Sequence, residues 1–256
     1  MCVVAFAWDA HPRWRLVLAG NRDEFHARPT APLAPWDDGP GIVAGRDLEA
    51  GGTWLGVDGR GRCALVTNVR DFSRPQDGLS RGLLASDYLR GDEGAATRAH
   101  ALLAAAPDYR PFNLLLFDPQ DCAWVGNAPG VRMALPGAGV HVLSNAQLDT
   151  PWPKAEALGV ALGRWIDAGG DDLFEPLFDA LADDRAWPDE RLPDTGIGLE
   201  RERWLSSAFI RGQAYGTRAS TVVALGHDGT GVVVERRWGA MGTAIGQTRI
   251  ELPVAR

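Results

Sequence analysis

Lysine is almost absent from this chain. Lysine and arginine together number 26, yet Lys154 is the single lysine. This reads as compositional bias, and no function is drawn from it. Cysteine is scarce too: Cys2, Cys63 and Cys122 are far apart in sequence, which excludes a dense disulfide framework and the paired spacing of a zinc site. Three such thiols suit a reducing cytoplasm. Long apolar runs are also missing. The longest, 2–8 and 112–117, fall well below the roughly 18 residues a membrane-crossing helix needs, so no span is expected. The N-terminus has no basic region and meets Asp9 early, so no secretory signal is expected either. With a net charge of −7 and no basic stripe, the chain has nothing to neutralise phosphates, which argues against nucleic acid as a partner.

What is present is an ordinary globular composition, 45% hydrophobic and 23% charged, in 256 residues that read as one domain. Segments 2–8 and 14–19 are β-rich and joined by a hairpin loop at 9–13. The proline-rich stretch 28–40 reads as a surface loop bordering a pocket. Short strands are expected at 42–44, 53–57 and 62–67, followed by a helix capped by Ser80 and a second helix over 95–106 ended by Pro107. Strands at 112–117, 123–125, 131–134 and 140–144 precede helices at 153–168 and 172–181. A closing hairpin, 221–225 with 231–237, turns at Asp228-Gly229. Segment 182–204 shows no divisible pattern. Strands come in groups, so the expected class is α+β, with two mainly antiparallel sheets and helices outside.

Cysteine directly after the initiator Met1 is chemically distinctive. Removing Met1 would leave a thiol and a free α-amine on one residue, whose ordinary pKa values, about 8.5 and about 7.7–8.0, both lie near neutrality. Position alone would favour a small apolar residue opening a buried strand. Two further features raise Cys2 above that. Asn21-Arg22-Asp23-Glu24 concentrates charge at the end of the second strand, where a hairpin can bring Arg22 and Asp23 beside the N-terminus; either Asp23 or Glu24 could be the working carboxylate. Asn68 and Asn145 end apolar strands, and a side-chain amide there can donate to a developing oxyanion.

These residues, with Gly51-Gly52-Thr53-Trp54-Leu55-Gly56, Ser80-Arg81-Gly82, Phe112-Asn113-Leu114 and Tyr215-Gly216-Thr217-Arg218, resemble the NRDE family, which includes the transport and Golgi organisation proteins. The resemblance runs nearly end to end. It implies the N-terminal-nucleophile hydrolase fold, a four-layer αββα sandwich similar to that of cysteine hydrolases of bile-salt and penicillin amides. It further implies Cys2 as nucleophile, Asn68 in the oxyanion hole, Asn145 near the substrate, Arg22 and Asp23 in the acidic cluster with a shifted register, and Arg218, in a Gly-Thr-Arg turn, as a distal arginine. The implied activity is hydrolysis or acyl transfer on a non-peptide amide of a small or lipid-like substrate, with no cofactor required. The alternative is a non-catalytic small-molecule carrier, with haem as the candidate ligand. For haem the sequence offers only isolated histidines, of which His26 lies closest to the acidic cluster, and no attachment motif.

Overall fold

The computed structural model describes residues 2–72 and 78–252. The chain opens with β1 (Cys2–Trp8), β2 (Trp14–Phe25), β3 (Thr30–Pro35), β4 (Ile42–Asp47), β5 (Leu55–Asp58) and β6 (Cys63–Asn68). Helices α1 (Leu84–Arg90) and α2 (Ala95–Leu102) follow, then β7 (Phe112–Phe117), β8 (Cys122–Gly126), β9 (Arg132–Ala134) and β10 (Gly139–Leu143). Helices α3 (Pro153–Asp167), α4 (Glu175–Leu181) and α5 (Leu199–Trp204) lead to β11 (Tyr215–Gly226), β12 (Gly231–Trp238) and β13 (Ala244–Leu252).

The strands form a six-stranded sheet, β10-β1-β2-β11-β12-β13, and a seven-stranded sheet, β3-β4-β5-β6-β7-β8-β9. Every pairing within them is antiparallel. Strand β1 shows why the layers stack as they do. Val3, Ala5 and Ala7 face α3 and α4, while Val4, Phe6 and Trp8 face the seven-stranded sheet. A strand buried on both faces must be apolar throughout, which explains the unbroken run at 2–8. A third cluster packs α1 and α2 on the outer face of the seven-stranded sheet through Leu84, Tyr88, Leu89 and Ala99. The result is the four-layer αββα sandwich. In α3, Leu158, Leu162 and Trp165 form the inward stripe, Pro153 sits in the first turn, and Gly169 at φ 80° follows the end.

Several expectations change. The proline-rich stretch is not a loop throughout, because β3 runs through it as an edge strand. An edge needs hydrogen bonds on one side only, and Pro32 falls where the register with β4 shifts, between Ala31 and Ala34. The Leu33 N–H there donates instead to Glu235 Oε1 of the other sheet, at 2.9 Å. Ser80 does not cap a helix: α1 begins at Leu84 without a side-chain cap, and Ser80 Oγ accepts the Gly82 N–H. The helix expected over 95–106 stops at Leu102, and Pro107 lies inside a short 3-10 turn. Strand β2 extends to Phe25, so the polar cluster lies within the strand. Arg218 stands within β11 at a bulge, not in a turn. Strand β13 and helix α5 had no counterpart in the expected pattern.

Asn21 has a structural duty inside this frame. It is fully buried, and its Nδ2 donates to the carbonyls of Leu181, at the end of α4, and Ala208, both at 2.8 Å. Its Oδ1 accepts the Ser220 hydroxyl at 2.6 Å. Replacement by leucine strands two carbonyls and a hydroxyl, each at about 1–3 kcal/mol. Denaturant unfolding of Asn21→Leu is expected to show a loss of at least about 2 kcal/mol; wild-type stability would contradict the clamp.

Candidate active site

Pairing register assembles the site. Cys2 lies opposite Arg22 across β1 and β2, and β11 brings Ala219 opposite Arg22 and Thr217 opposite Asp23. Alternation then puts Arg22 and Glu24 on the face shared with Cys2, and Asp23 on the face of Asn21. From the second sheet, the end of β6 supplies Asn68. The residues after β10 supply Ser144 and Asn145.

A short hydrogen-bond series joins the two sheets at this point. Ser144 Oγ donates to the Cys2 carbonyl at 2.8 Å, and the Cys2 backbone N–H donates to Asn145 Oδ1 at 3.4 Å. Asn145 Nδ2 donates to the Asn68 carbonyl at 2.9 Å and to Asn68 Oδ1 at 3.1 Å. Behind them, Thr67 Oγ1 donates to the Ser144 carbonyl at 3.0 Å, and the Arg70 N–H to the Asn145 carbonyl at 2.7 Å. Each member is held from two sides, so Cys2 and Asn68 cannot drift independently.

A cavity of about 210 Å³ opens here, lined in part by Cys2, Arg22, Asp23, Glu24 and Asn68. Of the residues singled out in the sequence, these come together around the open space. Asn145 is fully buried just behind them, touching the Cys2 nitrogen and Asn68. Arg218 does not reach the cavity: its Nη1 donates to the carbonyls of Phe25 at 2.8 Å and Arg28 at 3.1 Å, fixing the chain after β2. His26 lies outside the lining, where burial and then Arg218 push its pKa down. Met1 lies outside the described residues. Among the described residues, no group of three or more His, Cys, Asp or Glu side chains is arranged to hold a metal ion. No helix among them is long and apolar enough to cross a membrane.

Burial dominates the electrostatics. It pushes the Cys2 thiol up, against the amino-terminal charge and Arg22 and with the help of Asp23. A thiol held protonated needs a base beside it. Burial also raises Asp23, opposed by the amino-terminal charge, Lys154, the Thr217 hydroxyl that donates to Asp23 Oδ1 at 2.7 Å, and Arg22. Of the two carboxylates, Asp23 is the buried one. Glu24 stays half-buried, 3.8 Å from Arg22, and accepts the Phe25 N–H at 2.9 Å.

The fold is that of the N-terminal-nucleophile hydrolases. The chain aligns with a Caenorhabditis elegans N-acylethanolamine-hydrolyzing acid amidase ortholog at TM-score 0.53 and 10% identity, covering 86% of this chain and 92% of that one. It aligns with the C2A mutant of the conjugated bile acid hydrolase from Clostridium perfringens at TM-score 0.53 and 8% identity, covering 98% and 92%. The chain belongs to the Transport and Golgi organisation 2 family, whose pattern matches residues 1–240. The Bos taurus Transport and Golgi organization protein 2 homolog is 32% identical over 259 residues, and the Homo sapiens homolog 31% over 256, with 92% of both chains covered in each case.

The residue that sequence reasoning passed over is Lys154. The only lysine in the chain is buried in the first turn of α3, where its Nζ donates to the Leu205 carbonyl at 2.9 Å. Burial lowers its pKa to about 8, against the attraction of Asp23. Its uniqueness was the available signal: an arginine could not lose its proton there, whereas a lysine can. Since the unfolded chain keeps this proton up to about 10.4, the unfolded state binds more protons between the two values. The lysine's contribution therefore opposes folding below pH about 8 and is relieved as pH rises further. With ¹³Cε-labelled lysine the protein should give one resonance titrating near pH 8; a midpoint above 10 would contradict the buried placement.

Proposed function

We propose that the chain is a cysteine N-terminal-nucleophile amide hydrolase or acyltransferase, acting on a non-peptide C–N amide of a small or lipid-like substrate. One observation carries this reading: Asn145 touches the Cys2 nitrogen through Oδ1 and Asn68 through Nδ2. With Met1 removed, the nitrogen that is now an amide becomes the α-amine, and Asn145 Oδ1 orients it. Because Asn68 Oδ1 is occupied by Asn145, the Asn68 Nδ2 is the end left to donate into the cavity. That is the geometry of one oxyanion donor.

In the proposed reaction the α-amine takes the thiol proton, and Sγ attacks the substrate carbonyl carbon. Negative charge develops on the carbonyl oxygen, where Asn68 Nδ2 and a backbone N–H receive it. As the oxygen returns to a carbonyl, the C–N bond breaks and the amine leaves with the proton from the α-ammonium. Water, or a second nucleophile in acyl transfer, then attacks the thioester carbonyl as it gives a proton to the α-amine; the C–S bond breaks, the acyl product leaves, and the α-ammonium returns the proton to Sγ, restoring the thiol. Asp23 and Arg22 hold the N-terminus. Support comes also from the names of the two solved neighbours, an amidase and a conjugated bile acid hydrolase, and the three free buried thiols suit a cytoplasmic location.

The alternative, a non-catalytic carrier of haem or another small molecule, draws less support. Among the described residues, the cavity lining holds Cys2 but no histidine, methionine or tyrosine to ligate iron, and its volume suits a small polar group. The test is turnover on a panel of amides using protein whose intact mass shows Met1 removed. Cys2→Ala is expected to abolish turnover, and Asn68→Ala to lower kcat about 10²–10³-fold. Full activity in Cys2→Ala would overturn the reading.

A further inference from the structure

We infer that the cavity beside Cys2 contains an oxyanion-binding subsite formed by Arg81 and Arg110, so that its substrate carries a carboxylate or phosphate group near the scissile amide. This rests on the reading of the cavity as a substrate site and names the substrate class.

The two arginines share one lip of the cavity. The lip is a backbone pair: the Leu79 N–H donates to the Asp108 carbonyl at 2.7 Å, and the Arg110 N–H to the Leu79 carbonyl at 3.1 Å. Arg81 is fixed further by donating Nη1 to the Pro111 carbonyl at 3.0 Å. Across the lip, Gly52 packs so closely on the Gly82 carbonyl that a β-carbon would collide with it. The segment carrying Arg81 is thus held in place from both sides.

Charge compensation separates this lip from the opposite wall. There, Arg28 meets Asp47 at 2.6 Å and Glu49 at 3.2 Å, and Arg22 meets Asp47 at 3.4 Å and Glu24 at 3.8 Å. Arg81 and Arg110 meet only backbone carbonyls, Arg110 Nε donating to Gly78 at 3.3 Å; neither has a carboxylate partner among the described residues. Two guanidiniums on one lip repel each other: burial and then Arg110 hold the Arg81 pKa below its ordinary value, and Glu24 across the cavity opposes this without meeting Arg81 in an ion pair. A ligand oxyanion would remove that repulsion, and the planar guanidinium suits either carboxylate or phosphate. Cys2 and both arginines line the same cavity of about 210 Å³, so the anion and the reacting carbonyl belong to one small molecule.

The test compares alkylation of Cys2 by iodoacetate and by neutral iodoacetamide in Met-free protein, followed by peptide mass. The ratio of the two rates in each protein cancels changes in thiol reactivity itself. The double variant Arg81→Gln/Arg110→Gln should lower the iodoacetate-to-iodoacetamide ratio about tenfold, and raised salt should lower the wild-type ratio. Arg110→Gln alone, at an exposed position, should lower it part of the way. An unchanged ratio in the double variant overturns the subsite. If neither reagent labels wild-type Cys2, the hydrolase reading fails, and the subsite is judged by calorimetric titration of Cys2→Ala with sodium acetate and with sodium phosphate. Heat that disappears in the arginine double variant upholds the subsite and shows which anion it prefers; no heat with either anion overturns it.

Discussion

The site depends on one side-chain amide. Asn145 follows β10 in the six-stranded sheet and reaches Asn68 at the end of β6 in the seven-stranded sheet, while its oxygen meets the nitrogen of Cys2. An amide carries both functions, whereas a carboxylate lacks the donor for Asn68 and an ammonium lacks the acceptor for the Cys2 nitrogen. Apolar packing between the sheets is non-directional, so this polar bridge sets the relative position of Cys2 and Asn68. Ser144, Thr67 and Arg70 keep the bridge itself in place.

Behind the bridge lies a group of charges that is costly to bury and therefore paired. Arg70 meets Glu202 at 2.9 Å with both side chains almost fully enclosed, and its guanidinium lies 4.6 Å from the Trp152 ring centre. Glu202 also accepts the Thr195 N–H at 2.9 Å. Lys154 and Asp23 complete the group, one pushed down by burial and the other up. Breaking such a set leaves an uncompensated charge, so it ties α3 and α5 to the strands that carry Cys2. The same economy makes the pair at Arg81 and Arg110, which meets no carboxylate among the described residues, informative.

Much of the fold was legible in the sequence because burial on two faces demands apolar strands. The runs at 2–8 and 112–117 could belong only to inner strands, and the Asp228-Gly229 turn identified its hairpin. What was not legible depends on non-local partners. Nothing in β2 says that β11 will lie beside it, or that β10 will flank β1. Strand β13 escaped because its mostly exposed edge carries no apolar alternation, and β3 because prolines tolerated at an edge read as a loop. In the site, Cys2, Arg22, Asp23 and Asn68 were found by residue type and spacing. Asn21 stands in the same motif, yet alternation turns it away from Arg22 and its side chain is taken up by Leu181, Ala208 and Ser220. Lys154 was visible as an oddity of composition, and only its burial gave the oddity a meaning.

The central claim is that a free α-amine on Cys2 makes its buried thiol a nucleophile. The most direct measurement compares Met-free protein with protein retaining Met1 after exposure to an activated acyl ester. The account predicts a hydroxylamine-labile acyl adduct on Cys2 in the Met-free form and its absence when Met1 is retained. Equal labelling of the two forms, or no thioester in either, would contradict it.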